Sequence, residues 1–450
     1  MPRREHSSRR QFLKKSAVVA VGGIATPYVI PSGVLAGPDG PGANERIGIG
    51  WIGTGRRAHQ MIGDLKGTHS LPAECRVVAV SDVWPKKCHE YLKVYEEQVL
   101  GPKGGKTGAK YGIYRDYREM LESPDIDAVV LTTPEHSRAL PCILACQAGK
   151  DVYAEKPLSL TVREGRAMVQ AVRKHNRVCQ VGTQQRSMLR NREASELIRN
   201  GRLGKLESVL CQNWAGSRPY RDFTLPTEPV PDDLDWNHWC GQTEPVPFST
   251  HVYLTYNNPG WHNIRRYSGG GTTNAGSHSL DVVQWALGTE TTGPVEVEPH
   301  GKEYNSEVTF RYASGVLLKL TNQITEKDVS AFGAIFVGER GRLVMHRGRF
   351  NTNPIAISQE PLGENDTRLV KSDHHFQNWI DCIQSRQPPV ADIEFGHRAC
   401  TICHLANIAR WVGRKLKWDP EQERFPDDDQ ANALLSRPQR EGYRLPDTVS

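Results

Sequence analysis

The segment Ile47–Ala58, I-G-I-G-W-I-G-T-G-R-R-A, constrains the fold more than any other. It holds two registers of a glycine fingerprint. Gly48-x-Gly50-x-x-Gly53 matches literally, but it puts the turn inside an apolar strand. Gly53-x-Gly55-x-x-Ala58 leaves Ile47–Ile52 as the strand and opens a helix at Arg57, so we take this register. Gly53 then makes the tight turn, Gly55 lets a phosphate approach the backbone, and Ala58 is small enough for helix–strand packing. Thr54 and Arg56 complete the turn, at a helix N-terminus whose first N–H groups have no intrahelical partner. Asp82 ends the next apolar stretch, Arg76–Ser81, where an acid meets the ribose hydroxyls of a dinucleotide. This predicts NAD, while Lys86 and Lys87 close by keep NADP open.

The pattern downstream supports a parallel sheet. Apolar strands at Ala128–Thr132, Asp151–Ala154 and Val178–Val181 alternate with helices at Lys86–Val99, Arg138–Ala148 and Val162–His175. Strands alternating with helices imply βαβ units with helices on both faces. Gly101–Gly112 reads as a loop. After about residue 185 the character changes. A helix over Arg192–Asn200 precedes an aromatic, Pro-rich stretch, Trp214–Trp261. Segments Glu307–Tyr312, Val316–Thr321 and Ala334–Val337 have hairpin spacing and predict an antiparallel sheet. Helices return at His375–Ile383 and Phe395–Lys415. The expected organisation is a Rossmann domain over residues 45–185 and an α+β domain over 186–450.

The first 36 residues stand apart. They hold six Lys or Arg against Glu5, so of the net charge of +6 only +1 belongs to the rest of the chain. That leaves no basic surface to suggest nucleic acid. Ser8–Lys14, S-R-R-Q-F-L-K, followed by the apolar run Ala17–Ile24 and the small-residue end Val34-Leu35-Ala36, reads as a twin-arginine export signal. The run is too short to span a bilayer. Residues 37–44 read as a linker. The expected location is periplasmic, with a soluble mature protein after signal cleavage. Ten cysteines are scattered, many in helix-like apolar patterns, and read as reduced core residues.

Three strings carry a resemblance: T-P-E-H at Thr133–His136, A-E-K-P at Ala154–Pro157, and G-G-G-T-T-N-A-G-S-H-S-L-D at Gly269–Asp281. With the glycine turn, they resemble the glucose–fructose oxidoreductase and inositol dehydrogenase (Gfo/Idh/MocA) family from about residue 45 to the end. The resemblance implies a nicotinamide-dependent oxidoreductase acting on a sugar or cyclitol hydroxyl, with an open second sheet that often makes a homo-oligomer. It adds Thr133, Pro134, His136, Glu155 and Lys156 to the cofactor contacts. It makes Lys156 the amine at the reacting hydroxyl and His278 the proton-transfer histidine.

The residues make chemical sense in those roles. Alcohol oxidation needs a hydride acceptor and a base, and Lys156 follows a parallel strand, where such sheets place ligands. Asn274, His278 and Asp281, spaced i, i+4, i+7, share one face of a helix and are the expected substrate contacts with Lys156. The ordinary pKa of His278 suits proton transfer near neutrality. Asn274 departs from the family, which commonly has Asp there; an amide orients but takes no proton. That keeps a non-catalytic sugar-binding protein open as an alternative. Export adds another. NAD(P) is scarce outside the cytoplasm, so the cofactor would be retained and recycled in place, as in a redox-assisted glycoside hydrolase. Cys400-x-x-Cys403-His404 matches a haem-attachment string but lies in an amphipathic helix. His374-His375 point to different helix faces, so no metal site is expected.

Overall fold

The structure is a computed structural model and describes residues 46–64, 72, 74–100, 110–254, 259–324, 329 and 332–446. The export signal with Arg9 and Arg10, the linker, and most of the Gly101–Gly112 loop lie outside the described residues.

The first sheet has six parallel strands: β1 (Ile47–Ile52), β2 (Cys75–Ser81), β3 (Gly112–Tyr114), β4 (Ala128–Leu131), β5 (Asp151–Ala154) and β6 (Cys179–Val181). Their order is β3-β2-β1-β4-β5-β6, so the chain reverses direction across the sheet beside β1. Five of the strands follow the sequence pattern. The sixth, β3, has three residues and no buried side chain, so it carries no apolar run to read. Helices α1 (Arg56–Asp64), α2 (Pro85–Tyr95), α3 (Tyr117–Leu121), α4 (Ala139–Gln147) and α5 (Val162–Lys174) connect the strands. Trp51 is fully buried, and its indole N–H donates to the Thr132 hydroxyl at 2.9 Å.

The second sheet has eight strands. β7 (Leu206–Gln212), β8 (Glu296–Pro299), β9 (Val308–Arg311), β10 (Leu317–Thr321), β11 (Ala334–Gly338), β12 (Gly341–Met345), β13 (Phe350–Asn353) and β14 (Leu416–Lys417) lie in the order β13-β12-β11-β7-β10-β9-β8-β14. Only β7 and β10 pair in parallel, so the sheet is largely antiparallel, as expected. Helix α6 (Leu189–Arg199), the pair α7 (Gly271–Asn274) and α8 (Gly276–Leu287), and the later α9 (His375–Ser385) and α10 (Ile393–Val412) complete the set that positions the site.

The helices after residue 370 do not belong to the second sheet alone. Phe376, Trp379 and Ile380 of α9 pack into one Rossmann core with Ile49 and Trp51. Ile393 and Cys400 of α10 enter the other Rossmann core, while its Ile402 and Leu405 enter the core of the second sheet. A boundary at residue 185 therefore divides the chain but not the cores. The helix after β6, α6, packs into the core of the second sheet, so side chains of α9 and α10 cover the first sheet there.

Candidate active site

Backbone conformation sets the floor of the site. β1 runs into Gly53 at φ +85°, and a Cβ there would press on the Thr133 nitrogen at 3.0 Å. At Gly55 a Cβ would meet nothing within 4 Å, so the space beside the helix N-terminus is open. Ala58 is fully buried. These are the three properties that the Gly53–Ala58 register requires, and the residues present fit a dinucleotide pyrophosphate.

Asp82 sits at the carboxyl end of β2 against this turn. One carboxylate oxygen accepts from the Thr54 N–H (2.8 Å) and hydroxyl (3.2 Å), and the other from the Trp84 N–H (3.0 Å). Burial pushes its pKa up, against those hydrogen bonds and the Lys87 charge. A carboxylate has about four acceptor positions. Three are taken, so Asp82 both braces the turn and retains a position for a ligand hydroxyl. Lys87 is itself paired with Glu90 at 2.7 Å.

The expected cofactor contacts divide. Thr133 and Pro134 are half-buried at the end of β4, and the Thr133 hydroxyl donates to the Ser137 carbonyl at 3.1 Å. His136 differs from expectation. It is 1% exposed, pairs with the Trp239 carbonyl at 2.8 Å, and lies against the Trp239 and Tyr267 rings. Burial takes its pKa down to about 4. It is a core residue because an aromatic cluster covers it. Glu155 differs too. It is buried and accepts from Arg57 of α1 at 2.8 Å; burial would raise its pKa, but Arg57, Lys156 and Arg138 together hold it below the ordinary value. Its carboxylate is spent fixing α1 to the end of β5.

Directly before His136 stands a residue that the sequence reading passed over. Glu135 is fully buried and accepts from the Ser268 hydroxyl (2.7 Å), the Gly269 N–H (3.0 Å) and the Thr273 hydroxyl (3.0 Å). It fastens the loop after β4 to the glycine segment before α7. In sequence it shows only as an acid inside T-P-E-H, with its partners more than 130 positions away.

That fastening brings the chemistry together. Lys156 follows β5, and its Nζ donates to the Asn274 carbonyl at 2.8 Å. Burial lowers its pKa to about 8, with Glu155 and Glu135 opposing and Arg57 and Arg138 assisting. The Lys156–Pro157 bond is cis. Asn274 thus meets Lys156 through its backbone. The helix is not continuous as expected: it is interrupted at Ala275, so Asn274 ends α7, and His278 and Asp281 belong to α8.

His278 is 5% exposed, and its Nδ1 is buried without a partner. Its ring lies 4.9 Å from the Phe332 ring, and Gln185 donates to the carbonyls of both residues. Burial, then the positive charges of Lys156, Arg347 and Arg57, hold its pKa well below 6.5. The expectation of titration near neutrality is therefore corrected: this imidazole is neutral at physiological pH. Asp281 is corrected as well. It is 1% exposed, with both oxygens 2.9 Å from Arg186 Nε, so a core ion pair occupies the carboxylate assigned to substrate.

The remaining sequence motifs settle into structure. Cys400, Cys403 and His404 are buried in α10, where His404 Nε2 faces the Ser159 carbonyl at 3.1 Å. All ten cysteines are buried and unpaired. His374 caps α9, accepting from the Gln377 N–H at 2.9 Å. Among the described residues no group of three or more metal-ligating side chains is gathered, and no helix is long and apolar enough to cross a membrane. Trp236, Trp239 and Trp261 fill a core of their own, as most of the aromatics were expected to do.

Comparison with known proteins agrees with this geometry. Residues 47–183 match a family model described as the oxidoreductase family's NAD-binding Rossmann fold, and residues 207–445 match its C-terminal alpha/beta domain. The chain is 27% identical over 197 residues to scyllo-inositol 2-dehydrogenase (NAD(+)) of Bacillus subtilis, covering 44% of this chain and 45% of that enzyme. It is 27% identical over 182 residues to a glycosyl hydrolase family 109 protein of Shewanella pealeana, covering 38% of each. The chain thus spans less than half the length of either relative. The crystal structure of the WlbA dehydrogenase from Bordetella pertussis, in complex with NADH and UDP-GlcNAcA, superposes at a TM-score of 0.57 with 17% identity. That match covers 83% of this chain and 99% of that one.

Proposed function

The chain belongs to the Gfo/Idh/MocA oxidoreductase family, and from that premise we propose that it is a NAD-dependent dehydrogenase of a sugar or cyclitol hydroxyl. One observation carries the reading. An amine with its pKa lowered to about 8 stands at the carboxyl end of β5, held at Asn274 and sharing its electrostatic field with a neutral histidine.

Nicotinamide, when bound, supplies the acceptor for the hydride that leaves the carbinol carbon. The Gly53–Ala58 turn and the N-terminus of α1 hold the phosphates. Asp82 offers its last acceptor position to the ribose, which favours NAD, and the pairing of Lys87 with Glu90 favours it further. The unprotonated fraction of Lys156 Nζ takes the hydroxyl proton, because a base is most effective with its pKa near the working pH. His278, neutral and weakly basic, orients the hydroxyl by accepting a hydrogen bond. Asn274 positions the substrate without titrating.

Two measurements on the purified full chain test this. Mass spectrometry of the released nucleotide is expected to show NAD or NADH. Single-turnover mixing with a panel of sugars and cyclitols is expected to raise the reduced-nicotinamide absorbance. Glycosidic product without net reduction would favour the hydrolase, a reading supported by the Shewanella relative. Bound nucleotide with neither reaction would favour a sugar-binding protein.

We further propose that the protein is exported through the twin-arginine route with its cofactor retained, a reading supported by Ser8–Lys14. Replacing Arg9 and Arg10 by Lys is expected to leave the folded protein in the cytoplasm; unchanged export in fractionation would defeat the reading. A homo-oligomer joined through the second sheet is also proposed, with sedimentation as its check.

A further inference from the structure

The aromatic stretch Trp214–Trp261 reaches back to the end of β2. The Asp235 N–H donates to the carbonyl of Val83, the residue after Asp82, at 3.0 Å. Trp236 and Trp239 stack with 4.5 Å between ring centres, and the Trp236 indole donates to the Val246 carbonyl at 2.7 Å. Val83 and Trp84 pack against this core. At its rim stands Tyr253, the last residue of a short helix, Thr250–Tyr253. That helix is tied to Glu228 through the Thr250 N–H (3.0 Å) and hydroxyl (2.6 Å). The Tyr253 ring lies 6.1 Å from the Trp239 ring and meets the Trp84 ring edge-on at 5.7 Å. The Trp84 N–H in turn donates to Asp82 at 3.0 Å. A chain of contacts, Trp239–Tyr253–Trp84–Asp82, therefore brings a tyrosine from beyond the Rossmann strands to the acid that ends β2.

The Tyr253 hydroxyl is the group this arrangement leaves over. Among the described residues it has no hydrogen-bond partner, although the side chain is half-buried. Burial, then the negative charges of Asp82 and Glu90, push its pKa up, so the hydroxyl keeps its proton and is a donor. Asp82 has three acceptor positions filled by Thr54 and Trp84 and one open. A lone donor and a lone acceptor at one strand end complement a hydroxyl, which accepts from the first and donates to the second. The carboxyl end of this strand is where the adenosine ribose of a dinucleotide presents its 2′-hydroxyl.

We propose that Tyr253 is a second residue that reads the adenosine ribose: its hydroxyl donates to the 2′-hydroxyl, which itself donates to Asp82. The inference rests on the NAD reading of the Gly53–Ala58 turn and on nothing about the sugar. It gives the aromatic stretch a task at the cofactor, on the far side of the chain's division at residue 185.

The test is displacement of NADH from the full chain, followed by nicotinamide fluorescence, with NAD and with the analogue of NAD whose adenosine lacks the 2′-hydroxyl. Tyr253→Phe keeps the ring and its contact with Trp84 and removes only the hydroxyl. It is expected to weaken NAD about fivefold, the worth of one hydrogen bond, and to leave the affinity of the 2′-deoxy analogue unchanged. The preference of the wild type for NAD over the analogue should shrink by the same factor. Binding of NADH to the variant shows in the same experiment that it is folded. Equal weakening of NAD and the analogue would reduce Tyr253 to packing and overturn the proposal, as would an unchanged affinity for NAD. NAD binding that is indifferent to Tyr253 defeats this inference alone. Failure of the wild type to bind NADH or NAD defeats the cofactor reading with it. A Tyr253-dependent affinity without nicotinamide reduction by any sugar supports this inference and defeats the dehydrogenase reading alone.

Discussion

Two charge clusters in this chain, one half-buried and one buried, resemble each other in composition and differ in what they leave unused. One joins α5, α10 and the segment after β14. There Arg166 donates to Glu394 at 2.7 and 2.9 Å and to Glu423 at 2.9 Å, Arg398 adds a bond to Glu394 at 2.7 Å, and His397 pairs with Glu423 at 2.6 Å. Burial would raise both carboxylates, but the cations win and hold Glu394 down to about 2 and Glu423 lower still. The other cluster is the cleft. Lys156 spends one hydrogen bond on a carbonyl, and His278 leaves a buried ring nitrogen without a partner. Shifted pKa values occur in both places and so do not separate structure from chemistry. An orphaned ring nitrogen does not separate them either, because His397 Nδ1 in the first cluster is also buried without a partner. What differs is that the first cluster's carboxylates are consumed by arginines, while the cleft keeps an amine held by one hydrogen bond to a carbonyl.

The sharpest way to break this contrast is Arg166→Ala. It strips buried Glu423 and half-buried Glu394 of their shared cation, and about 2 kcal/mol of stability should be lost in urea unfolding. The single-turnover rate should stay within about twofold, since nothing in the cleft changes. The pH dependence follows the same logic. Both glutamates have folded pKa values below their unfolded ones, so their contribution is complete above the unfolded value and is lost as pH falls toward about 2. Wild type should therefore lose stability through that acid range, and Arg166→Ala should lose less. An equally steep loss in the variant would mean that the network is not the source.

His278→Gln sharpens the contrast from the other side. The rate should fall about tenfold, the cost of one misplaced orienting hydrogen bond, while stability changes by about 1 kcal/mol. A wild-type rate would make His278 a packing residue like His136, and the amine alone would distinguish the cleft.

Much of the first sheet was legible in the sequence because parallel strands are buried on both faces and read as unbroken apolar runs. Ala128–Leu131 is the clearest case, with all four side chains buried. The central strand of the second sheet, β7, was not legible. Its seven residues, L-E-S-V-L-C-Q, bury only Val209 and Cys211, so no run forms. At the site, Lys156, Asn274 and the glycine turn stood out because motif and position agreed. Asp281 and Glu155 also stood out, yet both are consumed by arginines, Arg186 and Arg57, whose proximity only the fold creates. Glu135 was invisible for the same reason: its meaning lies in partners that are remote in sequence, and local spacing carries no trace of them.

The central claim is that burial tunes Lys156 to take the substrate proton. The pH dependence of single-turnover nicotinamide reduction, in wild type and in Lys156→Ala, tests it most directly. Burial and the surrounding cations hold His278 well below its ordinary pKa, so the amine dominates the profile near neutrality. The wild-type rate should climb about tenfold per pH unit and level off near the amine's pKa of about 8. Lys156→Ala should keep its bound dinucleotide, lose about a thousandfold at the plateau, and show no inflection. A flat wild-type profile, or the same inflection in Lys156→Ala, would contradict the account.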